Sequence, residues 1–146
     1  MSYSLSALIM LAAGLGIPIL ASLNAALGQF IYSPVAAVTV LLFVAFCTIC
    51  IVMLATSNLP LIRLTQAPKH LFLAGLLVVF YMLSITAIAP TFGVGNAIFF
   101  VLLGQLISAA LVDHFALFGS TGSPLTITRS LGVGIMGLGV WITQQA

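Results

Sequence analysis

The chain has 146 residues, of which 63% are hydrophobic and only 3% are charged. A soluble domain carries roughly 25% charged residues, so this composition excludes a water-facing surface on all sides. The formal net charge of +2 comes from three basic residues and one acid, which is too little to neutralise the phosphates of a nucleic acid.

Five apolar stretches follow one another, each close to the ~20 residues that cross the hydrocarbon core of a bilayer. Backbone groups in lipid must be paired within helices or closed barrels, and these stretches do not alternate as barrel strands do. The sequence therefore predicts an all-α integral membrane protein. Its single domain, residues 1–146, has five transmembrane helices at approximately 5–27, 34–56, 70–89, 92–112 and 124–143.

The connections contain residues that begin or end helices. Ser33-Pro34 and Ser123-Pro124 each place a capping residue before a proline at the first helical position. Pro90, followed by Gly93, is expected to end the third span and to join it to the fourth as a hairpin.

The basic residues indicate the orientation in the membrane. Five spans place the two termini on opposite sides, and the three basic residues Arg63, Lys69 and Arg129 then share the side of the N-terminus. The excess of Lys and Arg in cytoplasmic loops favours a cytoplasmic N-terminus.

The first span contains two candidates for a substrate site. Pro18 removes one helical hydrogen bond and frees a carbonyl near Gly14, which either faces a cavity or accompanies a simple kink. Asn24 brings an amide into the membrane, where it either ties two helices together or lines a substrate pathway.

Two further polar side chains lie in the third and fourth spans. The phenol of Tyr81 and the amide of Gln105 each need a hydrogen-bond partner when buried, and each is either structural or a substrate contact. Gly104 and Ser108 form a small-xxx-small pair that permits close approach of another helix.

Asp113 is the only acid in the chain, and His114 follows it. A carboxylate is costly at the centre of a membrane, so we expect Asp113 at the boundary, paired with Arg129. As the sole carboxylate, Asp113 is also the plain candidate for proton coupling, together with the neighbouring His114. No further acid is present to complete a metal site, so no metal is predicted.

The last span contains Gly132, Gly134 and Gly137, whose spacing matches G-x-G-x-x-G. A dinucleotide site needs this pattern after a strand in a βαβ unit, and no such unit is predicted. With Gly139, these glycines are instead expected to form a smooth helix face at a subunit interface. No catalytic constellation occurs in the sequence, so neither an enzyme nor a cofactor is predicted.

Several elements together resemble one family, the YdcZ-type branch of the drug/metabolite transporter superfamily. They are Gly14 with Pro18, Asn24-Ala25-Ala26-Leu27-Gly28, Ser33-Pro34-Val35-Ala36-Ala37, Ala89-Pro90 with Gly93, Gly104-Gln105, Asp113-His114-Phe115, Pro124-Leu125-Thr126, Arg129 and Gly132. The resemblance implies a half-size protein of the bacterial inner membrane. It also implies dual topology, with two copies paired antiparallel into a ten-helix inverted repeat.

The leading hypothesis is a small-molecule transporter that works by alternating access at a dimer interface within the membrane lipid. Asn24, Tyr81 and Gln105 would bind the substrate, and the segment at Pro18 would shape the cavity. The small multidrug transporters, distant relatives, use a membrane Glu that this chain lacks, so a neutral, zwitterionic or amphipathic solute is favoured. A heterodimer with a homologue of opposite topology, a non-transporting scaffold subunit and a passive channel are the alternatives.

Overall fold

The structure, a computed structural model, describes residues 2–56, 65–119 and 126–145. All regular elements in these residues are helical, which confirms the predicted all-α class. The long helices are α1 (Tyr3–Phe30), α2 (Pro34–Thr56), α3 (Leu73–Phe92), α4 (Val94–His114) and α5 (Ile127–Thr143), and short 3-10 turns cover Lys69–Phe72 and Leu117–Gly119.

Four of these helices are long and apolar enough to cross a membrane. They are Tyr3–Phe30, Pro34–Thr56, the continuous segment Lys69–Phe92, and Val94–His114. The fifth, Ile127–Thr143, is apolar but has 17 residues, or about 26 Å at 1.5 Å per residue. The described chain thus has four membrane-length helices and a shorter fifth.

The turn between α1 and α2 follows the sequence prediction. α2 begins at Pro34, and the hydroxyl of Ser33 accepts a hydrogen bond from the backbone N–H of Ala36 at 3.2 Å. Tyr32 in this turn has a φ of 54°, and its N–H donates to the carbonyl of Gln29 at 3.2 Å. The tight turn sets α1 and α2 side by side and antiparallel.

Pro90 does not end the third helix, contrary to expectation. Its ring removes the N–H that would reach the carbonyl of Thr86, but this loss falls in the last turn and α3 continues to Phe92. The helix ends at Gly93, whose φ of 90° suits glycine and whose N–H donates to the carbonyl of Ala89 at 3.0 Å. The next helix therefore begins at Val94 rather than at residue 92.

The fifth helix also begins later than expected. Thr126 caps it, because its backbone is extended and its hydroxyl accepts a hydrogen bond from the N–H of Arg129 at 3.2 Å. The helix therefore starts at Ile127 instead of residue 124. The predicted Ser123-Pro124 cap lies outside the described residues.

The backbone groups into two compact units, Met1–Val94 and Gly95–Ala146. In the first unit α1, α2 and α3 pack on one another. The core consists mainly of small side chains at one end, near the α1–α2 turn, and we call it the seam. Its residues are Ala21, Asn24, Ala25 and Gly28 of α1, Ala37 and Val38 of α2, and Ile85, Thr86 and Ala89 of α3.

Outside the seam, the helices of the first unit present apolar side chains outward. Leu8, Phe43 and Leu76 are examples from the three helices, and each is largely exposed. Soluble monomers rarely expose such continuous apolar surface, which fits a surface in contact with lipid or with another subunit.

In the second unit, an ion pair joins α4 and α5. A terminal nitrogen of Arg129 lies 2.6 Å from a carboxylate oxygen of Asp113. A Cβ added at Gly137 would lie 3.6 Å from a methyl carbon of Leu103, which is ordinary van der Waals distance.

Candidate functional site

A groove between α1 and α2 is the first candidate site, with a volume of about 380 Å³. Apolar side chains form nearly all of its described lining, and the one polar residue is Asn24. This is the composition of small-molecule sites, in which an apolar wall carries few polar groups that fix orientation. The described lining residues are Leu20, Leu23, Asn24 and Leu27 of α1 and Val40, Leu41 and Val44 of α2.

Asn24 also forms a hydrogen bond to α3 within the seam. Its amide nitrogen donates a hydrogen bond to the hydroxyl oxygen of Thr86 at 2.6 Å. Asn24 is 3% exposed and Thr86 is 1% exposed, so the bond is shielded from solvent. Asn24 therefore ties α1 to α3 and also lines the groove, and its place on a substrate pathway stays a prediction.

A second cavity, the end cleft, lies where α1 and α3 end and α2 begins. It has a volume of about 390 Å³. Thr86 belongs to its wall and Asn24 to the wall of the groove, so the Asn24–Thr86 bond joins the two walls. The described lining residues are Gly28, Gln29, Tyr32, Pro34, Thr86, Ala87 and Pro90.

Tyr81 lies on α3 of the same unit, outside the described walls of the groove and the end cleft. Its phenol oxygen is buried and has no hydrogen-bond partner among the described residues. A buried phenol is costly without a partner, so this hydroxyl is available to a group that the described residues do not supply.

Pro18 is half-buried on α1, and the helix runs through it. The hydroxyl of Ser22 donates to the carbonyl of Pro18 at 2.8 Å. A Cβ added at Gly14 would meet nothing within 4 Å among the described residues. Pro18 is not part of the described lining of the groove, so its role in shaping a cavity stays a prediction.

In the second unit, Asp113 and Arg129 form the ion pair that the sequence predicts. Their side chains are 36% and 33% exposed, respectively. His114, the next residue, sets its ring edge-on against Phe115 with 4.8 Å between ring centroids. Among the described residues, no group of three His, Cys, Asp or Glu side chains could hold a metal ion.

The residues predicted for close helix packing are mostly open. Gly104 and Ser108 are exposed on α4, and so is Gln105, whose predicted substrate contact stays a prediction. Three of the four α5 glycines have open space around them: a Cβ added at Gly132, Gly134 or Gly139 would meet nothing within 4 Å among the described residues. Gly137 is the one with a close neighbour, Leu103. Their assignment to a subunit interface stays a prediction.

The packing roles of two residues escaped the sequence analysis. Thr86 is the partner of Asn24, and a Cβ added at Gly28 would be crowded, at 3.2 Å from the Thr86 methyl. Gly28 follows Ala21, Asn24 and Ala25 at spacings of 7, 4 and 3, which is one helical stripe. That stripe was a usable signal. Thr86 gave no comparable signal, because Tyr81 and Ser84 in the same apolar span also carry hydroxyl groups.

The helices and the groove together define a multi-pass α-helical membrane protein with an apolar site in its transmembrane part. The chain matches a family model described as "Putative inner membrane exporter, YdcZ" over residues 5–142. No curated protein and no solved structure matches it.

The chain therefore belongs to the YdcZ family of inner membrane exporters. This confirms the predicted family, the multi-pass inner membrane location and a transporter-type role. The family is one of exporters and not of enzymes.

Proposed function

We propose that this protein exports a small neutral, zwitterionic or amphipathic molecule, which binds in the groove between α1 and α2. The observation that carries the proposal is Asn24, the single polar group in an otherwise apolar wall. A substrate with an apolar body in the groove and one group that hydrogen-bonds to the Asn24 amide would complement this lining.

The transporting unit that we propose is an antiparallel pair of copies. Five helices in each copy give ten in an inverted repeat, and rocking between the copies alternates access to the groove. The exposed glycines of α5 and the exposed apolar faces of α1–α3 support a second protein surface. In this proposal Tyr81 and Gln105 hydrogen-bond either to the substrate or to the second copy, and Pro18 shapes the cavity.

Efflux of the neutral lipophilic dye Nile red from bacterial cells tests the role of Asn24. Asn24→Leu removes the amide from the groove, whereas Thr86→Val breaks the same hydrogen bond but keeps the amide. We expect Asn24→Leu to abolish efflux and Thr86→Val to retain most of it. Thr39→Val is the matched control, because among the described residues the hydroxyl of Thr39 bonds only to the carbonyl of Val35 in its own helix.

Equal losses in Asn24→Leu and Thr86→Val would show that Asn24 serves only as a tie between helices. If Asn24→Leu and Gln105→Leu both transported dye as well as the unaltered protein does, the proposed substrate contacts would be wrong.

Cysteine labelling in intact cells tests the pairing. In a chain lacking Cys47 and Cys50, single cysteines replace Tyr32 or Gln66, both exposed and on opposite sides of the predicted topology. An impermeant thiol reagent should label each position in about half of the molecules if the chain inserts both ways. Complete labelling of one position and none of the other would exclude the antiparallel homodimer and would point to a partner of opposite topology.

Proton coupling through Asp113 or His114 is a separate part of the proposal. Asp113→Asn should make efflux independent of an imposed pH gradient while leaving downhill dye movement intact. Unchanged pH dependence in this variant would exclude Asp113 as the coupling group.

A further inference from the structure

A small pocket lies between α4 and α5 in the second unit, with a volume of about 220 Å³. Its described lining is apolar except for two residues of α5, Arg129 and Ser130. The apolar part comes from Ile107, Ala110 and Leu111 of α4 and Val133 of α5. The pocket thus sets a guanidinium beside an apolar wall.

Arg129 retains hydrogen-bonding capacity. One terminal nitrogen donates to a single carboxylate oxygen of Asp113 at 2.6 Å. A guanidinium has five N–H donors, and among the described residues no other acceptor contacts this one. The Arg129 side chain is 33% exposed, so its remaining donors can reach a second anionic group.

The depth of the pocket in the membrane follows from the length of α4. Its 21 residues extend about 31 Å, which is the thickness of the hydrocarbon core, and Asp113 is its penultimate residue. The Asp113–Arg129 pair therefore lies where hydrocarbon gives way to headgroups. Lipid phosphates lie at the same depth.

We propose that this pocket binds an anionic phospholipid, beyond any role in export. The phosphate accepts hydrogen bonds from the free donors of Arg129, and the first carbons of an acyl chain lie against Ile107, Leu111 and Val133. The apolar wall favours a phosphate that carries a hydrocarbon chain over a free anion. Asp113 competes with the lipid phosphate, because its carboxylate accepts a hydrogen bond from the same guanidinium.

Because Asp113 and the lipid compete for Arg129, the proposal predicts opposite effects on lipid binding for the two substitutions. Removing the positive charge should weaken lipid binding, whereas removing the competing carboxylate should strengthen it. If the ion pair were purely structural, removing either Arg129 or Asp113 would break it, and both substitutions would change lipid binding in the same direction.

The experiment measures the lipid retained by the purified full chain from micelles that contain equal phosphatidylglycerol and phosphatidylcholine, using native mass spectrometry. We expect the unaltered chain to retain phosphatidylglycerol preferentially. Arg129→Gln should lower this preference about fivefold, the factor for one basic residue near an anionic surface. Asp113→Asn should raise it. Lys69→Gln removes an exposed positive charge that is not among the described lining residues of the pocket, and it should leave the preference unchanged.

A second variant fills the pocket without changing its charge. Val133→Phe should lower lipid retention and keep the Asp113–Arg129 pair, so it remains informative if Arg129→Gln fails to fold. The proposal is overturned if Lys69→Gln lowers the preference as much as Arg129→Gln, or if Asp113→Asn also lowers it. Full displacement of the lipid by inorganic phosphate, with Val133→Phe inert, would identify a free-anion site and would equally overturn it.

Discussion

Replacing Asn24 with Leu removes the donor that reaches across the seam to Thr86. The hydroxyl of Thr86 then stays 1% exposed without the partner it had at 2.6 Å. A buried polar group left unpaired costs about 1–3 kcal/mol in soluble proteins. Measured couplings between membrane helices are smaller, about 0.6 kcal/mol on average and about 1.7 kcal/mol at most. Because this bond is short and shielded, we expect a coupling of about 1 kcal/mol.

The assay is a double-mutant cycle on the free energy of unfolding, measured by circular dichroism in mixed micelles titrated with a denaturing detergent. Asn24→Leu and Thr86→Val each keep the approximate side-chain volume. The double variant removes both partners and leaves no orphaned hydroxyl, so it should be about 1 kcal/mol more stable than the sum of the single effects predicts.

A matched control uses Thr39→Val in place of Thr86→Val. Thr39 is exposed and donates within its own helix, so its effect should add to that of Asn24→Leu within about 0.3–0.5 kcal/mol. If the Asn24–Thr86 cycle were additive to the same degree, the bond would not stabilise the packing of α1 on α3, and the reasoning would be refuted.

Three further predictions concern packing in purified protein. Gly28→Leu should lower the free energy of unfolding by about 1–3 kcal/mol, because the Thr86 methyl blocks its Cβ, whereas Gly14→Leu, in open space, should not destabilise. Tyr81→Phe should leave thermal stability unchanged or raise it, and a clear fall would show that the phenol has a partner in the assembly. Gly134→Leu should reduce cross-linking between copies without lowering thermal stability, whereas unchanged cross-linking would remove this face from the interface.

The sequence was sufficient for the helices because hydrophobic length is a local property. α2 begins at the predicted Pro34, and the cap at Ser33 forms as expected. The Asp113–Arg129 pair was also predictable, since a chain with one acid and few bases offers few pairings. These features depend on composition and on neighbouring residues, which a sequence contains directly.

The arrangement of the candidate site was less predictable because lipid-facing and protein-facing residues are both apolar. Periodicity therefore does not tell which face of α1 contacts α3, and the partner of Asn24 stayed open. Small residues carry that information instead, in the stripe that includes Ala21, Ala25 and Gly28. Pro90 misled for another reason: a lost hydrogen bond matters little in the last turn of a helix.

The position of the seam has a consequence for the proposed export cycle. Burial in the first unit lies at the end where α1 meets the start of α2 and the end of α3, whereas every residue from Leu71 to Phe80 is exposed. In an antiparallel pair, the seams of the two copies would lie toward opposite faces of the membrane. Each seam contains one Asn24–Thr86 bond, which joins the wall of its groove to the wall of its end cleft. If rocking between the copies loosened one seam while the other stayed closed, one face of the membrane would open at a time. A weak hydrogen bond therefore suits this position better than a strong one, because it can break and re-form during the cycle.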